Sequence, residues 1–233
     1  MKFAGSLKRE SLEYSGNHYS VTQAAFIQDD THRLSLLVDH ATGATSVQSG
    51  WLEVMVDRRT MFDDARGMGE GVTDSRATTH GYWLLLEPRD PSHQPPADNL
   101  PSLSPLATIL SRYLDNPPTL FSSSSSTPSS PLPLLKTGLP CDHHLLNLRS
   151  WSPQHSPGVS ALMILQRTAP DCSWASISLS ECLSPASTPS MDWRGRTAQY
   201  QPVTLTGNFQ SANQSPLFSL APMQIAAYNV TFN

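Results

Sequence analysis

The sequence predicts a mainly β protein: an antiparallel β-sandwich with one short helix and long irregular loops. Three observations carry this. Short alternating or apolar runs recur along the chain with turn residues between them. No segment keeps a 3.6-residue apolar period long enough for a helical or βαβ domain. And 233 residues suffice for one β-rich domain, or one and a small appendage.

Taken in order, the expected strands are residues 19–27 (YSVTQAAFI), 33–38 (RLSLLV) and 51–56 (WLEVMV). The third leaves a tight turn at Ser49-Gly50 and carries the β-formers Trp51, Val54 and Val56. Further runs follow at 82–87, 143–148, 161–166, 203–205 and 224–231. The one expected helix covers about 104–114, where Leu106, Ile109, Leu110, Tyr113 and Leu114 make an i, i+3, i+4 stripe. Residues 88–101 and 117–133 read as loops from their Pro and Ser content, the second containing the serine run 122–126. Residues 183–200 read as irregular, with Trp193 and two arginines. The expected organisation is an N-terminal extension at 1–16 and a β-sandwich at 17–233, interrupted by a Pro/Ser-rich loop at 88–136.

A formal charge of −4 with 15% charged residues gives no basic footprint for nucleic acid. No run of 18 apolar residues is present, so no membrane span is expected. The opening MKFAGSLKRE has positive charge but no apolar stretch behind it, unlike a secretory signal. Three cysteines, Cys141, Cys172 and Cys182, leave one thiol or all three outside disulfides. Asn213-Gln-Ser and Asn229-Val-Thr are candidate glycosylation sequons, the first followed by Pro216.

The densest chemical signal is WLEVMVDRRTMFDDARGMGEGV, residues 51–72. A strand runs into Asp57, Arg58, Arg59, Asp63, Asp64 and Arg66, then Gly67, Gly69 and Gly71. Glycines let backbone approach another surface closely, and the mixed charges can pair to stiffen the loop. The plainer reading is a solvated hairpin end whose ion pairs contribute little. Elsewhere, Cys141-Asp142-His143-His144 has metal-binding side chains, but adjacent strand residues point to opposite faces and no second Cys/His pair accompanies them. No G-x-S-x-G marks an activated serine. The paired acids Asp29-Asp30 and Asp63-Asp64 are sequence neighbours, which rarely flank one bond as glycoside hydrolysis requires. The sequence assigns this chain no catalytic residue and no metal ligand.

Six blocks, in order, resemble the C-terminal β-domain of glycoside hydrolase family 38, in its Golgi α-mannosidase II branch. They are AFIQD with RLSLL (25–29 and 33–37), the turn HATG to Ser49-Gly50, the DRR…DDARGMGEG loop, LLLE (84–87), LPCDHHLLNLR (139–149) and LAPMQIAAY (220–228). The resemblance implies an enzyme that hydrolyses mannosyl residues during N-glycan processing. Its nucleophile, acid and zinc ligands lie in an N-terminal catalytic domain whose motifs this sequence does not contain. This chain would then be a C-terminal piece, or a gene product lacking its front, that binds no cofactor itself. Its partners would be that catalytic domain and, in the intact enzyme, a mannose-containing N-glycan. The resemblance further implies that Arg66 sits at the rim of the substrate pocket, on a loop supported by Arg58, Arg59, Asp63, Asp64, Gly67 and Gly69. It also implies the Golgi lumen, where a disulfide from Cys141 to Cys172 or Cys182 can form. Two rivals stand beside it. One is a stand-alone carbohydrate-binding module with Trp51, Trp83 or Trp193 as sugar platforms. The other is a truncated product exposing the surface meant for a missing domain.

Overall fold

The computed structural model describes residues 18–57, 67, 76–92, 102–120, 122, 134–151, 159–174, 188–210 and 217–232. They are mainly antiparallel β-sheet with one α-helix, and no sheet closes into a barrel. The chain divides into two units, residues 1–120 with 171–178, and residues 121–170 with 179–233.

The first unit holds β1 (Tyr19–Val21), β2 (Ala24–Gln28), β3 (His32–Val38), β4 (Thr42–Thr45), β5 (Glu53–Val54), β6 (Tyr82–Pro88) and α1 (Pro105–Asp115). The strands form two three-stranded sheets, β1-β4-β5 and β2-β3-β6. They close over a common core of Val21, Ala25, Leu36, Val38 and Ala44, with Leu52, Val54 and Tyr82 packed against it. The single strand expected over 19–27 is therefore two. A bend at Thr22-Gln23 carries the chain from one sheet to the other, and Gln23 O accepts from Val38 N at 3.0 Å. Alternation persists through such a corner, so the sequence pattern does not register it. The strand expected over 51–56 shrinks to two residues, and β4 escaped notice because Thr-Gly-Ala-Thr has turn composition.

β3 is buried on both faces, Leu36 and Val38 towards the shared core and Arg33, Ser35 and Leu37 towards α1. Ser104 caps α1, accepting from Ala107 N at 3.0 Å, and Pro105 occupies the first turn. The helix buries its small face, Pro105, Ala107 and Ser111, while the leucine stripe is half-buried and Tyr113 is exposed. Small side chains let the helix approach the strand closely. Beneath it lies a buried ionic cluster. The Arg33 guanidinium donates to Gln28 Oε1, to Ser102 O at 2.9 Å and to Asp171 Oδ2 at 3.0 Å. It lies 4.0 Å from the Phe26 ring centroid and 4.7 Å from that of Trp174. Ser104 Oγ donates to Glu87 Oε2 at 2.7 Å. These bonds, with Asp171 N to Leu103 O and Asp90 N to Ser173 O, both 2.8 Å, seat a 3₁₀ turn, Cys172–Trp174, in the first unit.

The second unit is one four-stranded antiparallel sheet of β7 (His143–Ser150), β8 (Val159–Arg167), β9 (Ala198–Val203) and β10 (Ile225–Phe232), in the order β7-β8-β10-β9. One face carries Met163, Leu165, Tyr228 and Val230 under Trp193, Phe218 and Leu220; the other carries Leu162, Ala227 and Val203. A bulge between Leu145 and Asn147 brings Leu145 and Leu148, three apart, to the same core. The strand expected at 203–205 lies earlier, at 198–203. Pro202 argues against a strand, yet β9 is an edge strand, where a missing N–H is tolerated. No helix among the described residues is long and apolar enough to cross a membrane.

Candidate functional site

Of the residues expected at the pocket rim, Arg58, Arg59, Asp63, Asp64, Arg66 and Gly69 lie outside the described residues. Gly67 is described: it is exposed, with φ +146°, a backbone conformation that favours glycine. What is described in full is the pair of roots from which this loop leaves the sheets.

The two roots are fastened to neighbouring stretches of chain, the incoming one to β4 and the outgoing one to the turn between β3 and β4. On the incoming side, Met55 N donates to Gly43 O at 2.8 Å, and Thr42 Oγ1 donates to Met55 O. On the outgoing side, Gly81 N donates to Asp39 Oδ2 at 2.7 Å and Asp39 N donates to Gly81 O at 3.2 Å. A Cβ on Gly81 would lie 2.7 Å from Asp39 Oδ2, so this close approach requires glycine. A side-chain series extends from the same carboxylate. Asp39 Oδ1 meets His40 Nδ1 at 2.5 Å, His40 Nε2 meets His80 Nδ1 at 2.9 Å, and His80 Nε2 meets Thr78 Oγ1 at 3.0 Å. His40 is 41% exposed, so the series lies at the surface. The His40 bond and the Gly81 amide hold the Asp39 carboxyl below the usual carboxylate range. The sequence marked His40 only as part of the turn that resembles the family's, and the link to His80 was not legible, because the two rings are forty positions apart with no local signature.

The remaining sequence candidates separate. Asp142 and His143 are both buried. Asp142 Oδ1 meets His143 Nδ1 at 2.7 Å, Arg167 Nε donates to Asp142 Oδ2 at 2.8 Å, and Arg167 Nη1 donates to Leu220 O at 2.9 Å. This group staples the start of β7 to the end of β8 rather than forming a site. Cys141 is disulfide-bonded, whereas Cys172 is a thiol pushed up by burial, first of all, and by Asp171, so Cys172 is not its partner. Among the described residues no three His, Cys, Asp or Glu side chains converge, and they do not fit a zinc centre. Trp51 and Trp83 are exposed, at 56% and 43%. Trp193 is not available as a sugar platform: it is buried, and its Nε1 donates to Tyr200 Oη at 2.5 Å. Asn213 lies outside the described residues. Asn229 sits in β10 between Leu162 and Gln201, with its Oδ1 buried.

Comparison with known proteins gives a consistent picture. Residues 6–66 match the profile of the glycosyl hydrolases family 38 C-terminal domain. Alpha-mannosidase 2 of Mus musculus is 38% identical over 175 residues, covering 71% of this chain and 15% of its own length. Alpha-mannosidase 2x of Mus musculus is 32% identical over 95% of this chain and 20% of its own length. Alpha-mannosidase 2 of Arabidopsis thaliana is 34% identical over 60% of the chain and 13% of its own length. The chain thus spans a fifth or less of these relatives.

Proposed function

The chain belongs to glycosyl hydrolase family 38, in that family's C-terminal domain, and we propose that it acts as the β-domain of an α-mannosidase that trims mannosyl residues of N-glycans in the Golgi. The observation that carries this reading is similarity to alpha-mannosidase 2x over 95% of the chain, and to alpha-mannosidase 2 over 71% of it. The enzyme's zinc, nucleophile and acid belong to the catalytic domain this chain would join. Its own contribution is the charged glycine loop. Arg66 would stand at the pocket rim, donating hydrogen bonds to a carboxylate or water, or offering its carbonyl to a sugar hydroxyl. The bonds from β4 and from the β3–β4 turn hold the two roots of that loop, which supports a fixed base for it. In an enzyme that joins this chain to a family 38 catalytic domain, Arg66→Ala lowers kcat/KM by about tenfold, on the order of 1.4 kcal/mol. Deleting residues 122–126 changes it by less than about twofold. Equal tolerance of both changes overturns the proposal.

A further inference from the structure

His40 Nε2 and His80 Nδ1 face each other at 2.9 Å, a distance with room for one proton and not two. The neighbours fix which nitrogen carries it. The Asp39 carboxylate can only accept, so His40 Nδ1 carries hydrogen and His40 Nε2 is a lone pair. His80 Nδ1 must then donate to it, and His80 Nε2 accepts from the Thr78 hydroxyl. Two imidazole nitrogens so placed also invite a metal ion, but among the described residues no three His, Cys, Asp or Glu side chains are placed to hold one, and Asp39 is bonded to the other ring nitrogen of His40. Among the described residues, Tyr82 of β6 also faces the pair, its ring stacked with that of His80 with centroids 6.4 Å apart.

We propose that Asp39, His40, His80 and Thr78 form a one-proton clamp between the β3–β4 turn and the start of β6, closed while the pair carries no more than one extra proton and opened by a second. The first added proton costs the clamp nothing. It enters at His80 Nε2, which then donates to Thr78 Oγ1, while the hydrogen already between the rings stays on His80 Nδ1 or passes to His40 Nε2. Either way one hydrogen lies between the rings, and the Asp39 carboxylate offsets the single positive charge. A second proton places N–H against N–H and sets two imidazolium rings with centroids 4.7 Å apart beside one carboxylate. The His40–His80 bond is then lost, and the outgoing root keeps only its two bonds between Gly81 and Asp39. The clamp stands on described residues alone and does not depend on the mannosidase reading.

NMR titration of the purified chain tests this by following the ring signals of His40 and His80 and the amide of Gly81. The expected result is that the two rings respond jointly, each protonation step moving the signals of both. The Gly81 amide should shift, and lose hydrogen-exchange protection by roughly fivefold, only through the second step. In His80→Phe the second step disappears and Gly81 protection is low at both ends of the range. Should that variant not fold, the titration of the wild-type chain decides. Two rings that titrate as independent groups, or a Gly81 amide indifferent to both steps, overturn the clamp.

Discussion

Arg33 and Glu87 face each other across β3 and β6, both buried, and their environments act on them differently. The guanidinium exchanges water for Gln28, Ser102 and Asp171 and for two aromatic faces, a geometry a lysine ammonium cannot reproduce. Arg33→Lys should therefore destabilise the chain by about 3 kcal/mol or more, read from a urea midpoint, because Asp171 is left buried without its partner. Glu87 is pushed the other way. Burial raises its carboxyl above the ordinary 4.5, with the Ser104 bond and Arg33 opposing. A raised folded value means that its contribution is fully present below the unfolded value and lost as pH rises through the folded one. Relative to Glu87→Gln, the wild type should thus gain stability as pH falls towards 4.5; the opposite trend would rule out burial as the dominant cause. None of this was legible in the sequence. Arg33 and Asp171 are separated by 138 positions, and neither has a neighbour that announces a partner. Asp142 was legible only as part of a suspicious cluster, and the structure turned that cluster into a strand staple.

At the scale of elements, the strands with β-formers on both faces, β3, β6, β8 and β10, were readable, with ends displaced by a residue or two. Those governed by their neighbours were not. β4 is a strand because β1 offers it an edge, β5 because β4 does, and β9 because β10 does. Helix α1 was found by its leucine stripe, yet it packs by its small residues. Ser104 shows why the helix begins where it does, for one hydroxyl accepts from Ala107 N and donates to Glu87. Ser104→Ala removes both bonds and leaves the Glu87 carboxyl buried without a donor. The loss should be about 2–3 kcal/mol, more than the roughly 1 kcal/mol of an exposed cap, and Ser104→Thr should recover most of it. A cost within a few tenths of a kcal/mol would mean that the Glu87 bond contributes nothing.

For the whole molecule, what the sequence conveyed best was kinship, because blocks such as DRR…RG and PCDHHLLNLR keep residue identities that periodicity cannot carry. The candidate site was legible as a loop and not as a base, since the His–Asp fastening exists only after folding. Leu84 and Leu86 stand 71% and 64% exposed on β6, an edge strand with backbone groups open to pairing. We expect the purified chain to self-associate in light scattering, and Leu84→Lys with Leu86→Lys to shift it towards monomer; a wild-type chain that stays monomeric at tens of micromolar, roughly, would refute this. The second sheet carries a consequence of another kind. Its strand order sets a timetable for synthesis: β7 and β8 emerge first and can zip at once, but β9 emerges before its sole sheet neighbour. Until residues 225–232 arrive and slide between β8 and β9, the ribosome presents a hairpin with an unfilled slot. The pairing of β10 with β8 and β9 is therefore the step that completes this sheet, and it waits on the element that comes latest in sequence among the four.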